Sequence, residues 1–241
     1  MNTVKIMLLI AFISIIKVDA NAWFAISPYT FCEGNPISFI DPDGQKVVFV
    51  NGYLGFGSPN GGATYWNGSN SSFVKEAQAT FKDFATPFFS NYDFSIINSS
   101  TLSRQFQGYN YAKDHYSELT DGMKPGVDKF NFVSHSMGGA FSEGMIQFLS
   151  TRGWETDNAI FLNAWQPTQI NIKEETRRID ATCTNDPIQF LSVPLFSSPN
   201  IPSSDHTIRL KSEKSIMYIH RDLIDGNSKY LWQQIKNFLP K

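Results

Sequence analysis

Along the chain, short β-branched or apolar runs alternate with longer stretches in which apolar residues recur every three or four positions. Residues 46–50 form a run of the first kind, ending at Asn51-Gly52, and read as a buried strand entering a glycine turn. The Gly-, Ser- and Asn-rich stretch 55–72 reads as a long loop. Helical spacing follows over 73–84, a short strand is expected over 94–97, and a second helix over 109–119. Residues 129–133 form another strand, which runs directly into Ser134-His135-Ser136-Met137-Gly138-Gly139 and a helix reaching Leu149. Short apolar strands are expected at 159–164 and 179–183, a short apolar run lies at 215–219, and an amphipathic helix over 230–239 closes the chain. Strands alternating with helices predict an α/β fold, a mostly parallel sheet with helices on both faces.

The first residues follow a different pattern. Lys5 precedes an apolar run over 6–16, interrupted only by Ser14, and Ala20-Asn21-Ala22 comes next. A charged start, an apolar middle and small residues at the cut predict a signal peptide over 1–22 and a secreted or periplasmic protein. The run is too short to serve as a stable transmembrane anchor.

Composition narrows the function classes. Of the 241 residues, 41% are hydrophobic and 17% charged, with a formal net charge of −2, as in an ordinary globular domain. Lys and Arg are scattered, so no nucleic-acid partner is expected. Cys32 and Cys183 lack CxxC partners, and two unpaired thiols are favoured over one long-range disulfide. The turn Gly52-Tyr53-Leu54-Gly55-Phe56-Gly57 has no Gly-Lys-Ser/Thr after it, which argues against phosphate binding. The histidines are dispersed and no HExxH occurs, so neither a metal nor another cofactor is expected.

Two resemblances add to this reading. Pro28-Tyr29-Thr30-Phe31-Cys32-Glu33-Gly34-Asn35-Pro36-Ile37-Ser38-Phe39-Ile40-Asp41-Pro42-Asp43-Gly44 resembles the closing segment of the RHS-repeat core. That likeness makes 23–45 a linker and implies a C-terminal effector module over 46–241, with an immunity protein as a partner. Gln45 stands where a Leu commonly follows the glycine. Asn131-Phe132-Val133-Ser134-His135-Ser136-Met137-Gly138-Gly139-Ala140 resembles the nucleophile elbow of the α/β-hydrolase family, in lipase- and esterase-like form. A strand must reverse into a helix within one turn, so small residues flank the central serine. Ser134 replaces the usual first glycine.

The second resemblance implies a Ser-His-Asp triad with Ser136 as nucleophile. Oxyanion donors would be the Met137 amide and, from the turn after the first strand, the Tyr53 amide, with Leu54 less favoured. In the family's order the acid and then the base follow the serine. His115 precedes Ser136 and His135 adjoins it, its side chain expected to point away; this leaves His220 as first choice and His206 as the alternative base. Asp186, on a turn after the 179–183 strand, is the expected acid, whereas Asp180 lies inside that strand. The apolar segment Leu191-Ser192-Val193-Pro194-Leu195-Phe196 either lines an acyl pocket or packs on the sheet. Together these imply a serine hydrolase acting on an acyl ester or lipid, including phospholipid. The alternatives are a non-catalytic secreted interaction module and an exported housekeeping esterase or thioesterase.

Overall fold

Six apolar runs pair side by side as one parallel sheet: β1 (Gln45–Val50), β2 (Phe88–Phe89), β3 (Lys129–His135), β4 (Glu155–Leu162), β5 (Arg177–Cys183) and β6 (His206–Leu210), in the order β2-β1-β3-β4-β5-β6. A computed structural model describes residues 44–55, 60–83, 85–94, 100–171, 175–188, 200–215 and 218–240, all within the unit Pro42–Lys241. The leader-like and RHS-like segments, Cys32 and the 191–196 segment lie outside these residues.

The main helices are α1 (Ser72–Phe81), α2 (Thr101–Asp114), α3 (Gly138–Thr151) and α4 (Ser228–Phe238). A parallel sheet covered on both faces needs strands apolar on both faces. In β1, Val47 and Phe49 join one core with α1, α4, Trp66 and Trp232. Val48 and Val50 join the other core, with α2, α3 and Phe132. The expected α/β class, with helices on both faces, is the observed one. Among the described residues no helix is long and apolar enough to cross a membrane.

Differences from the sequence reading have local causes. Helix α2 begins at Thr101, well before the expected start, because Ser100 caps it by accepting from the Ser103 amide at 3.1 Å. Its first turns carry no buried apolar stripe: Leu102 and Phe106 are 76% and 68% exposed. The helix packs instead through small residues. A Cβ on Gly108 would lie 1.9 Å from the Phe141 oxygen, and one on Gly144 1.8 Å from the Gln105 oxygen, so α2 and α3 meet backbone to backbone. Of the strand expected at 94–97, only Phe94 is described, as non-strand. The edge beside β1 is the two-residue β2. Strand β6 was not anticipated because His206, Thr207 and Arg209 interrupt its apolar residues Ile208 and Leu210. Ile219, last of the 215–219 run, opens a 3-10 turn, Ile219–Arg221, that carries His220.

Replacing Gly108 or Gly144 with Ala should lower the urea midpoint by an amount equivalent to about 1–3 kcal/mol, through overpacking of the α2–α3 contact. An unchanged midpoint in both variants would mean that the two helices separate freely.

Candidate active site

Strand β3 ends at His135, and Ser136 takes a left-handed backbone conformation, φ 55°. For a residue with a Cβ this costs roughly 1–2 kcal/mol. Three main-chain hydrogen bonds hold it there. The Ser136 amide donates to the Leu162 oxygen at 2.9 Å, and its own oxygen accepts from Trp165 at 3.0 Å and Gly139 at 3.2 Å.

The flanking small residues have visible reasons. A Cβ on Gly138 would sit 2.4 Å from the Asn51 oxygen, so α3 starts where β1 leaves no room for a side chain. Ser134 is tolerated in the other small-residue position because its hydroxyl donates to the buried Ile160 oxygen at 3.1 Å. Met137 occupies the N-cap of α3, where helix amides have no carbonyl a turn earlier and can serve an anion.

The turn after β1 passes directly against the serine. A Cβ on Gly52 would lie 2.8 Å from Ser136 Cβ and 2.7 Å from Tyr65 Oη. Asn51 fixes this turn: its Nδ2 donates to the Gly52 and Tyr92 oxygens, both at 2.8 Å, and its Oδ1 accepts from Ser90 Oγ at 2.8 Å. Tyr53 follows, half-buried against the core shared by α2 and α3.

Beyond β5, the Asp186 amide donates to the Cys183 oxygen at 3.1 Å, forming a turn that buries the carboxylate completely. Asp186 Oδ1 accepts from the Ile188 amide at 3.0 Å, and Oδ2 accepts from His220 Nδ1 at 2.6 Å. His220 Nε2 is buried and has no hydrogen-bond partner among the described residues. The His220 main-chain oxygen accepts from His135 Nε2 at 2.7 Å and Asn163 Nδ2 at 2.8 Å. Its imidazole lies 4.7 Å, centroid to centroid, from that of His135, the neighbour of Ser136.

The structure therefore joins His220 to Asp186 and brings the β1 turn to Ser136. It does not bring His206 there. That residue opens β6 at the opposite edge of the sheet from Ser136, its ring stacked on Phe238 at 4.3 Å. Asp180 is buried inside β5 and pairs with Arg209 at 3.1 Å. Cys183 is a buried free thiol whose pKa burial pushes up to about 12. Among the described residues no three His, Cys, Asp or Glu side chains cluster in a metal-holding arrangement.

Sequence reasoning missed Tyr65, Asn163 and the role of His135 toward His220. Tyr65 lies in the stretch read as loop, where a 3-10 turn, Gly62–Trp66, buries it. Asn163, with φ 44°, stands one residue past β4; asparagine tolerates that conformation, which was the one available hint. The His135 side chain reaches the turn that carries His220, its Nε2 meeting the His220 oxygen.

No protein-family model matches the sequence, and no curated protein does. Solved structures do resemble it. A lipase-esterase related protein from Clostridium acetobutylicum is 11% identical, with a TM-score of 0.46, over 83% of this chain and 96% of that one. An esterase/lipase from an uncultured bacterium is 12% identical, with a TM-score of 0.49, over 81% and 75%. A predicted CIB-like hydrolase from Thermoplasma acidophilum is 12% identical, with a TM-score of 0.46, over 82% and 89%.

Burial first, then the nearby His220 and Arg221, holds the His135 pKa well below the ordinary histidine value. The unfolded chain therefore takes up a proton that the folded chain refuses. Stability is full above about pH 6.5 and falls as pH drops from there toward the folded pKa, with a slope of up to about 1.4 kcal/mol per pH unit from this residue. Urea midpoints measured between pH 7.5 and 5 should fall less steeply for His135→Gln than for the wild type. Parallel curves would show that His135 titrates in the folded state as it does in the unfolded.

Proposed function

We propose that the protein is a serine hydrolase of carboxylic esters, with Ser136 as nucleophile, His220 as base and Asp186 as the acid that orients it. The observation that carries this reading is the His220–Asp186 pair: Nδ1 is bound to a buried carboxylate at 2.6 Å while Nε2 stays unpartnered among the described residues, beside the strand end that bears a strained serine. A serine hydroxyl is a weak nucleophile until a neighbouring base takes its proton. Asp186 fixes the tautomer in which Nε2 is bare and can accept that proton.

In the proposed reaction Ser136 Oγ adds to the ester carbonyl as its proton passes to His220 Nε2. The negative charge that develops on the carbonyl oxygen meets the Met137 amide at the start of α3 and the Tyr53 amide of the β1 turn. Each such donor supplies about 3 kcal/mol of transition-state stabilisation. His220 then protonates the leaving alcohol, and the acyl-serine is released by water that gives its proton to the same imidazole.

Lipid or phospholipid esters are the proposed substrates. Tyr218, two residues before His220, is 65% exposed, and Leu102 and Phe106 expose apolar surface on α2. The start of α2 is tied to the loop after β4, where Thr101 Oγ1 donates to Gln166 Oε1 at 3.1 Å, one residue beyond the Trp165 amide that holds Ser136. Export and a role as an RHS-associated effector are proposed from the leader-like and RHS-like segments alone.

A fluorophosphonate probe should label the wild type and not Ser136→Ala; equal labelling removes Ser136 from the mechanism. Asp186→Asn should keep the fold and lower ester turnover by about 10³–10⁴-fold, since the imidazole would lose its oriented tautomer. Expression directed to the periplasm should damage membranes, and the same chain kept in the cytoplasm should damage them less. Equal, harmless expression in both compartments would leave a hydrolase with no effector role.

A further inference from the structure

Two side chains outside the Ser136, His220 and Asp186 set converge on one atom, the main-chain oxygen of His220: His135 Nε2 at 2.7 Å and Asn163 Nδ2 at 2.8 Å. A carbonyl oxygen only accepts, so His135 carries its proton on Nε2. The Nδ1 of that neutral ring is then bare, and the Tyr65 hydroxyl donates to it at 2.5 Å. Burial supports both assignments, pushing the Tyr65 phenol up to about 12 and holding the imidazole well below its ordinary value. The Tyr65 oxygen meets the Gly52 amide in turn, at the point where the β1 turn passes Ser136.

We infer that His135 is a positioning residue, tying the main chain of the base to the strand that ends in the nucleophile and, through Tyr65, to the turn proposed to supply an oxyanion donor. This rests on the hydrolase reading above. His220 is held at two places. Asp186 fixes the imidazole from Nδ1, and His135 with Asn163 fixes the backbone from which the imidazole hangs. The direction of Nε2 follows from both. Because His135 directly precedes Ser136, the base cannot shift relative to the nucleophile without breaking the 2.7 Å contact. An apolar residue at this position would still leave the His220 oxygen one donor, Asn163. A buried carbonyl with one partner is tolerated far better than an orphaned one. The fold can thus survive a substitution that loosens the base.

Turnover of p-nitrophenyl butyrate and nitrogen-15 NMR of the histidine rings test the inference together. His135→Leu should lower kcat by about 10–100-fold, as a misplacement of about 1 Å does, and leave KM within about twofold. His135→Gln, whose side-chain amide can reach the same oxygen, should recover kcat to within about fivefold of wild type. Tyr65→Phe, which removes the donor to Nδ1, should fall between them. In the wild type His135 should appear as the Nε2–H tautomer, and the His220 Nδ1 proton bound to Asp186 should broaden in His135→Leu. A wild-type kcat in His135→Leu, equal losses in the Leu and Gln variants, or an Nδ1–H tautomer at His135 would each overturn the inference. If His135→Leu does not fold, the wild-type tautomer, Tyr65→Phe and His135→Gln still decide it. The Nε2–H tautomer in the wild type and the broadening in His135→Leu, together with a wild type that hydrolyses no ester, would keep the positioning and remove the hydrolase reading.

Discussion

The left-handed turn at Ser136 is the constraint around which the rest is arranged. A residue with a Cβ enters that conformation only when its surroundings over-determine it. Here the surroundings are three strands. The amide of Ser136 is bound to the end of β4, and its oxygen is bound by the loop that follows β4. Its Cβ faces the turn after β1 so closely that Gly52 can carry no side chain. Relaxing the serine would require β3 to slide against its neighbours, which their apolar faces oppose on both sides of the sheet. The strain is thus carried by these hydrogen bonds together with the packing of the strands around them.

Neighbouring strand ends hold the proposed acid and base. Asp186 follows β5, Asn163 follows β4, and both hold His220, one by its ring and one by its main chain. Parallel strands make this convergence natural, since all their carboxyl ends share one edge. His206 begins β6 at the other edge, and parallel topology alone separates it from Ser136. Two asparagines at the carboxyl edge are paired: Asn51 holds the β1 turn, and the half-buried Asn185 bonds both ways to the Ser212 main chain at 2.9 and 3.0 Å. Each such bond removes a cost that an unpaired buried group would impose. His220 Nε2 has no partner among the described residues, as the proposed role of proton acceptor for Ser136 requires.

Much of this arrangement could be read from the residues. The alternation of apolar runs and helical spacing foretold the class of fold, and His-Ser-Met-Gly-Gly after the 129–133 strand foretold a tight reversal at Ser136. The Asp186–His220 contact joins two residues that chain order had singled out. Less legible were elements whose stability comes from partners rather than from pattern. Strand β6 mixes polar and apolar residues because Arg209 reaches in to Asp180. The first turns of α2 pack by glycine and so show no apolar stripe. The 3-10 turn carrying Tyr65 lies in a stretch whose Gly and Asn content reads as loop. The leader, the RHS-like segment and the 191–196 stretch belong to residues outside those described.

His135 shows why elimination by adjacency is a weak argument. Successive side chains at a strand end point to opposite sides, so a histidine beside the nucleophile cannot be its base. The same geometry sends that histidine into the layer where the base's loop must pack. There a neutral imidazole offers one donor and one acceptor about 2 Å apart in a rigid ring, and the His220 turn supplies a carbonyl on one side while the Gly62–Trp66 turn supplies the Tyr65 phenol on the other. Leucine or phenylalanine would fill the volume but bond to neither, and a charged side chain would carry a desolvation penalty. Imidazole bridges Tyr65 and His220 at once without a charge. A residue set aside as a base candidate is thereby the residue best placed to hold the proposed base.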